Sequence, residues 1–167
     1  REVPWVRQVA LRRQWPSRLE VTIDEYTPLA RWNDNALVDV DGNVFIADYD
    51  GELPQFEGPD GRAAELAGRY RDFRDVLAPL GLALSGVRLT PRGSWSLATS
   101  HDGGTLAIEL GRNDPAQRLA RLAGVYARTI GAMVSAGTKV DYVDLRYRAG
   151  FAARVPGFRE KLPKKLA

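Results

Sequence analysis

The sequence contains no cysteine, one histidine and one methionine among its 167 residues. Without cysteine, the chain can form neither a disulfide nor a thiolate metal site. Its one methionine, Met133, lies inside a later segment, so the sequence reads as a piece of a longer chain. No run approaches the roughly 18 to 20 consecutive apolar residues of a membrane-spanning helix, and no signal peptide opens the chain. Any membrane anchor or export signal is therefore expected upstream of Arg1.

The sequence also lacks recognisable motifs of catalysis and cofactor binding. The single histidine, His101, lies in a glycine-rich turn, and neither a Gly-x-Ser-x-Gly elbow nor a glycine-rich nucleotide-binding loop occurs. Two acidic segments, 39–43 and 48–52, place glycine directly after the second aspartate, whereas a calcium-binding loop needs three oxygen ligands before its glycine. We therefore interpret both as hairpin turns and expect no enzyme activity, cofactor or metal.

Basic and acidic residues are mixed along most of the chain, without a long block of one charge. The formal net charge is +3, and 20 arginines and four lysines are interspersed with 21 acidic residues. A nucleic-acid-binding surface usually concentrates its basic residues on one face. Aromatic residues do occur near arginines, at Trp15, Trp32, Trp95, Tyr147 and Phe151, as on a single-strand-binding platform. A basic, β-rich nucleic-acid-binding domain is the alternative function, although burial of the three tryptophans in a core is expected.

What the sequence does contain is a series of short strands. Apolar and polar residues alternate on either side of Trp15-Pro16-Ser17, which predicts a hairpin over 7–25. Turn residues then separate three short apolar segments and predict a meander, whereas 48–57 is turn-rich. The predicted strands after the hairpin are 29–32, 36–40, 44–47, 87–90, 94–99, 105–110, 140–147 and 151–155.

Two segments have helical periodicity. The first follows Pro59-Asp60-Gly61, ends at Pro79 and Gly81, and places its apolar residues four, three, four and three apart: Leu66, Tyr70, Phe73, Leu77 and Leu80. The second is predicted to start with Asp114 as N-cap, to end at Gly137, and to bury Leu119, Leu122, Tyr126, Ile130 and Met133. The predicted fold class is α+β, a mainly antiparallel β-sheet meander with two packed helices.

The final predicted strand, 151–155, has no later strand to pair with and is expected to be a sheet edge. A free edge exposes backbone N–H and C=O groups that an extended segment of another chain can complete. Arg146, Arg148 and Arg154 would suit an acidic, partly apolar peptide. Alternatively, Phe151 and Val155 pack inward and Arg154 only protects the edge from aggregation, and the residues alone leave both interpretations open.

Several motifs in order resemble one family. They are "PWVRQVALRRQWPSRLEVTIDEYTPLARWND" (4–34), "LVDVDGNVF" (37–45), "GSWSLAT", "GRNDPAQRLARL" and "YVDLRY", and together they resemble the bacterial cell-division protein family FtsQ. The resemblance extends to about Val155. It implies an inner-membrane protein with one membrane helix and a periplasmic POTRA domain followed by a β-domain. Residues 1–27 would be the C-terminal remnant of the POTRA domain, 28–156 the FtsQ-type β-domain and 157–167 a flexible tail.

The resemblance further implies a non-catalytic scaffold of the division machinery, or divisome. In the family the last strand receives a C-terminal segment of the partner FtsB, which carries FtsL, and other divisome proteins also associate; nucleic acid is not a partner. The implied contact residues are Arg92, Arg146, Tyr147, Ala149, Gly150, Phe151 and Arg154. Where enterobacterial members tend to read Asp-Ser-Gly, this chain has Arg148-Ala149-Gly150. A side-chain contact is thus lost and the local charge reversed, whereas strand addition is expected to be retained because it uses the backbone.

Overall fold

The structure is a computed structural model that describes residues 4–101 and 104–157. Within these residues eleven strands and three α-helices follow one another along the chain. The predicted α+β class is confirmed. The predicted turn at 101–104 and the predicted flexible tail at 157–167 fall partly outside the described residues, at 102–103 and 158–167.

The first two strands form the predicted hairpin. β1 (Val6–Gln14) and β2 (Arg18–Glu25) pair antiparallel, with Val9 opposite Ile23, and the turn between them contains a cis Trp15–Pro16 bond. Nearly every residue of both strands is exposed. The predicted burial of Trp15 is wrong: its side chain is 82% exposed, with the Arg13 guanidinium 5.2 Å from the ring centroid. Among the described residues, the two-stranded hairpin has no second layer at its tip that could cover the ring.

The other nine strands of the described residues form one sheet. They are β3 (Pro28–Trp32), β4 (Ala36–Asp39), β5 (Val44–Phe45), β6 (Gln55–Glu57), β7 (Ala83–Leu89), β8 (Trp95–His101), β9 (Gly104–Gly111), β10 (Tyr142–Asp144) and β11 (Ala152–Arg154). The order across the sheet is β11-β10-β9-β8-β7-β6-β3-β4-β5. Two antiparallel meanders, β3-β4-β5 and β7-β8-β9, are joined through β6, which pairs parallel with β3 and β7. The predicted antiparallel character therefore holds for most pairings.

The joining strand β6 lies in the segment 48–57, where the sequence predicted only turns. Three residues are too few for alternation to be visible, and Phe56 is its one buried apolar side chain. The strand forms because both neighbours are already in place: Arg31 and Trp32 pair with it on one side, and Gly86 to Arg88 on the other. Tertiary pairing thus overrides weak local preference.

The first helix matches its prediction. α1 (Ala63–Leu77) continues into a short 3₁₀ turn, Ala78–Leu80, and stops at Gly81, whose φ of 72° is left-handed. The residues predicted to face inward are buried, apart from the half-buried Leu80. Gly42 in the β4–β5 turn lies directly against the helix, since a Cβ atom there would be 2.2 Å from the Ala64 Cα.

The second predicted helix is two helices, so the expected count of two is wrong. α2 (Pro115–Tyr126) and α3 (Ile130–Ser135) are separated at Thr129, whose hydroxyl donates to the Val125 carbonyl at 2.9 Å and whose φ and ψ of −120° and −98° are not helical. Gly131 allows α3 to turn back closely over Tyr126. Ile130 is buried as predicted. Met133 is only half-buried, and Asp114 precedes α2 at a φ of 49° without a side-chain capping bond.

The helices cover one face of the sheet. α1 packs on β4 and β7, α2 packs on β9, and the two helices contact each other, so they lie on the same side. Between them and the sheet lies the main core, which includes the predicted tryptophans Trp32 and Trp95. The opposite face carries polar groups such as the Arg88–Glu57 ion pair. In the described part of the chain, no helix has the length and apolar character required to cross a membrane.

The hairpin joins the sheet at β5. The ring of Tyr26 stacks on Phe45 with centroids 4.4 Å apart, and Trp5 approaches the same ring edge-on at 5.6 Å. Arg7 also forms an ion pair with Asp41 at 2.9 Å. The open end of the hairpin, opposite its turn, therefore packs on one edge of the sheet. The other edge, β11, lies at the far side of the sheet.

Candidate partner-binding edge

The last strand lies at the edge of the sheet, as predicted, but is shorter than expected. β10 covers 142–144 rather than 140–147, and β11 covers 152–154 rather than 151–155. Val143 and Leu145 are buried and fix β10 to the core, whereas every residue of β11 is exposed. The edge is thus a short strand laid on a firmly packed neighbour.

The backbone of Ala153 faces away from the sheet. Bonds between Ala107 N–H and Asp141 C=O and between Leu145 N–H and Glu109 C=O show that the odd-numbered residues of β10 point towards β9. The even-numbered residues therefore point towards β11, where Tyr142 pairs with Arg154 and Asp144 with Ala152. Because backbone groups alternate in direction along a strand, the N–H and C=O of Ala153 are directed outward, where another strand could bond to them.

Four of the predicted contact residues line one shallow depression beside this edge. It has a volume of about 430 Å³, and its lining is Tyr147, Arg148, Ala149, Gly150, Phe151 and Ala152. Tyr147 is 58% exposed, whereas Phe151 is half-buried and packs against the core together with Val155. Part of the inward-packing alternative is therefore observed alongside a backbone edge that is unpaired within residues 4–101 and 104–157, and the two interpretations are compatible.

Two of the predicted arginines already have acidic partners within the chain. Arg146 binds Asp144 through two nitrogens, with Nη2 2.6 Å from Oδ2 and Nε 2.9 Å from Oδ1. The hydrogen bond from Arg146 lowers the pKa of the nearly buried Asp144 carboxyl below its usual value. Asp144 and Arg146 are two residues apart, a spacing that places side chains on one face of an extended segment, so this pair could have been anticipated.

Arg154 lies at the opposite end of β11 from the turn. Its Nε is 2.8 Å from Asp141 Oδ1, and its guanidinium lies 5.4 Å from the centroid of the Tyr142 ring. The hydrogen bond from Arg154 lowers the pKa of Asp141. This arrangement depends on the register of β10 and β11, which no sequence pattern reveals.

Arg92 comes from a distant part of the chain to the same end of the sheet. It is exposed in the β7–β8 turn, which is closed by bonds between Thr90 and both Gly93 and Ser94. β8 then pairs Trp95 with Gly111 at the end of β9, and Gly111 packs closely against the Arg146 side chain. Within the described residues, the side chains of Arg92 and Arg148 have no hydrogen bond or ion pair, which leaves both positive charges available at this end.

Residues of α2 that sequence reasoning missed also border the site. Arg118 donates to the Leu110 carbonyl at the end of β9, and Arg121 donates to the carbonyls of Tyr147 and Arg148. Their three-residue spacing within "QRLARL" places both on one side of the helix. That spacing is the only sequence signal for them, and it does not reveal which carbonyls they reach.

Comparison with known proteins shows the family of the chain. The family described as "Cell division protein FtsQ/DivIB, C-terminal" matches residues 30–146. The chain belongs to the FtsQ/DivIB family. The family description "POTRA domain, FtsQ-type" matches residues 1–26. The match to the FtsQ/DivIB C-terminal description ends at Arg146, so the turn and β11 lie beyond it.

Relatives of this FtsQ/DivIB family member are cell-division proteins. The "Cell division protein FtsQ" of Burkholderia pseudomallei is 40% identical over 162 residues, which are 95% of this chain and 64% of the relative. The protein of that name from Escherichia coli is 38% identical over 154 residues, covering 90% and 55%, and that from Coxiella burnetii is 37% identical over 153 residues, covering 90% and 60%. The chain thus spans less than two thirds of the length of these relatives.

Proposed function

We propose that the chain is a non-catalytic scaffold of the bacterial divisome that binds FtsB, together with FtsL, by strand addition to β11. The observation that supports this proposal is the outward-facing backbone of Ala153 beside the depression lined by Tyr147 and Phe151. Backbone bonds from an added strand supply affinity, and the neighbouring side chains select its sequence. The turn Arg148-Ala149-Gly150 lines part of the same depression.

The charges at this end of the sheet suggest how an acidic partner segment is received. Arg92 and Arg148 are the cations available for partner carboxylates, whereas Arg146 and Arg154 are held by Asp144 and Asp141. We infer that Arg146 and Arg154 mainly shape the edge. An arginine–carboxylate pair across a protein interface can be bidentate and selective for its partner.

The placement of the chain in the cell is part of the same proposal. In this proposal, residues 1–27 belong to the C-terminal part of a POTRA domain and 28–156 to the β-domain. We propose that a preceding membrane helix anchors the protein in the bacterial inner membrane and that the described residues lie in the periplasm. Other divisome proteins would then reach the scaffold from the same compartment.

A calorimetric titration tests the proposal. The 167-residue chain is titrated, at two salt concentrations, with a peptide from the C-terminal periplasmic end of FtsB of the same bacterium. We expect saturable binding that is lost in Tyr147→Glu while the thermal unfolding temperature is unchanged, since Tyr147 is exposed. Tyr147 is a cleaner position than Phe151, whose half-buried ring also supports the core.

Two outcomes would contradict the proposal. One is the absence of saturable binding by the unmodified chain, and the other is unchanged affinity in a folded Tyr147→Glu variant. As a comparison ligand, a single-stranded oligonucleotide is titrated under the same conditions. Steeply salt-dependent binding of the oligonucleotide in place of the peptide would favour the nucleic-acid-binding alternative.

A further inference from the structure

The segment between β10 and β11 is held in place by a helix. The Arg121 side chain of α2 donates from Nη1 to the Arg148 carbonyl at 3.0 Å and from Nη2 to the Tyr147 carbonyl at 3.1 Å. Nη2 also makes a longer contact, 3.5 Å, with the Leu145 carbonyl. A single guanidinium thus reaches three carbonyls of the segment that leaves β10 and leads into the edge strand.

This segment has few other restraints. β10 ends at Asp144, β11 begins at Ala152, and the two strands share only three residue pairs. Residues 146–150 are all exposed. So short a strand pair is a weak restraint by itself. The position of β11 therefore depends on the core contacts of Phe151 and Val155, on the Arg154–Asp141 pair and on what fixes the turn that precedes it.

Arginine is the side chain suited to this contact. Its planar guanidinium presents several N–H donors in a fixed fork, whereas lysine offers a compact ammonium on a flexible stem. Arg118, three residues earlier, donates to the Leu110 carbonyl at the end of β9. Consequently α2 is tied both to the sheet and to the segment beyond it, and Arg121 transmits the position of a well-packed helix to the turn.

We propose that Arg121 is a positioning residue that presets the β10–β11 turn, and with it β11, in the geometry that accepts a partner strand. This inference rests on the proposed function, because it assigns a role in binding at the same edge. Presetting matters because apparent affinity falls in proportion to the fraction of molecules that hold the binding-competent geometry. Arg121 itself need not touch the partner.

The decisive substitution is Arg121→Lys, which keeps the positive charge and removes the fork. Its matched control is Arg128→Lys, because the Arg128 side chain, just beyond the end of α2, has no hydrogen bond or ion pair to the described residues. If Arg121 acted only through its charge, Arg121→Lys would bind an acidic peptide as the unmodified chain does. If Arg121 positions the turn, the lysine variant loses affinity at unchanged net charge.

Two measurements are made on the full 167-residue chain. Amide hydrogen exchange of the free protein is expected to be about tenfold faster in Arg121→Lys at Ala152 and Arg154, which pair with β10, and unchanged in α1. Titration with the C-terminal FtsB peptide is expected to give an apparent Kd about tenfold weaker, with an unchanged salt dependence. Arg128→Lys is expected to match the unmodified chain in both measurements.

Each departure has a defined meaning. Unchanged exchange in Arg121→Lys overturns the positioning role, and faster exchange with unchanged affinity shows that the held turn does not serve binding, which also overturns it. If the unmodified chain fails to bind the peptide, the proposed function fails, and the role of Arg121 in binding fails with it. The exchange measurement on the free protein then still decides whether Arg121 holds the turn.

Discussion

The two edges of the nine-stranded sheet end in different ways. At β5, the rings of Trp5 and Tyr26 pack on Phe45, whose side chain is buried. At β11, every strand residue is exposed. Its support comes from pairing with β10 and from Arg121, which contacts the turn that precedes the strand. The chain thus covers the side chains of one edge with its own first strands and leaves the other edge unpaired among the described residues.

Under the proposed function, the two edge strands of this sheet serve opposite purposes. Free strand edges are prone to unwanted pairing, and proteins protect them by shortening, charging or covering them. β5 has two residues and is partly covered, whereas β11 is short and flanked by arginines yet presents its outward backbone. We therefore expect substitutions at β5 to change stability and substitutions at β11 to change binding.

The largest expected effect is on stability at the β5 edge. Replacing Phe45 with alanine removes a buried ring and its stacking on Tyr26. We expect the free energy of unfolding to fall by about 3 kcal/mol, within the range for loss of a buried aromatic side chain. Urea denaturation measures this change, with Ile46→Ala as control, since the neighbouring Ile46 is 72% exposed. Equal losses in both variants would contradict the packed edge.

The second prediction places the same substitution at both edges. The backbone N–H and C=O of Ala153 face outward from β11. Val44 occupies the equivalent position in β5. The Asn43 C=O accepts the Asp39 N–H of β4, so the backbone groups of the following residue, Val44, point away from β4. Proline removes an outward N–H while sparing the inward pairing. We expect Ala153→Pro to weaken FtsB-peptide binding about a hundredfold, or about 2.7 kcal/mol.

Val44→Pro is the matched control for this experiment and is expected to leave the peptide affinity unchanged. Calorimetric titration of both variants measures the difference, and circular dichroism checks that each retains its fold. Strand addition at β11 would be refuted if Ala153→Pro bound as tightly as Val44→Pro.

The third prediction concerns the pH dependence of the β11 end. Because Arg146 lowers the pKa of Asp144 in the folded state, the carboxylate stabilises the fold fully above its unfolded pKa. That contribution is lost as the pH falls from about 5 through the folded pKa. We expect Asp144→Asn to lower the free energy of unfolding by about 1 kcal/mol at pH 7, a small value because solvent screens the exposed Arg146.

The measurement is urea denaturation of both proteins at pH 7 and at pH 2.5. At the lower pH the unmodified protein has lost most of the carboxylate contribution, so the difference between the two proteins should shrink. A difference that stayed constant across this range would show that the Asp144 charge does not stabilise the edge.

The smallest expected effect is on peptide affinity, and it differs between Arg92, which is available to a partner, and Arg154, which is already paired. We expect Arg92→Gln to weaken peptide binding about threefold and to reduce its salt dependence, as for an exposed ion pair. Arg154→Gln should change affinity less, because Arg154 is already paired with Asp141. Titration at two salt concentrations compares them, and a larger effect of Arg154→Gln would reverse the proposed division of roles.

The sequence predicts the elements with strong periodicity. The apolar face of α1, the first hairpin and the alternation of β8 and β9 follow from residue spacing alone. The errors occur where local pattern competes with tertiary packing. The apolar spacing of α2 continues past Thr129. However, the Thr129 hydroxyl donates to a carbonyl of α2 and its backbone is not helical, so the segment forms two helices, α2 and α3. Trp15 alternates like a core residue but lies at the tip of a hairpin without a second layer.

The location of the candidate site could be predicted from the sequence, whereas most of its side-chain contacts could not. The position of β11 after the other described strands, the aromatic residues Tyr147 and Phe151 before it, and the nearby arginines could be read from the sequence. The pairing of Arg154 with Asp141 and the contact of Arg121 with Tyr147 and Arg148 depend on strand register and on how α2 packs. Those contacts join residues 13 to 27 positions apart, and no local pattern encodes such pairings.

The order of strands along the chain determines when the edge is completed during synthesis. Proteins emerge from the ribosome N-terminal end first and fold largely in that order. β5 can meet its neighbours early. Among the described residues, β11 is the final strand and pairs with β10, which itself joins β9 after the intervening α2 and α3. A product cut short within 146–151 would keep most of the packed core and lose the edge. The candidate edge at β11 therefore forms only after nearly all of the described residues have been synthesised.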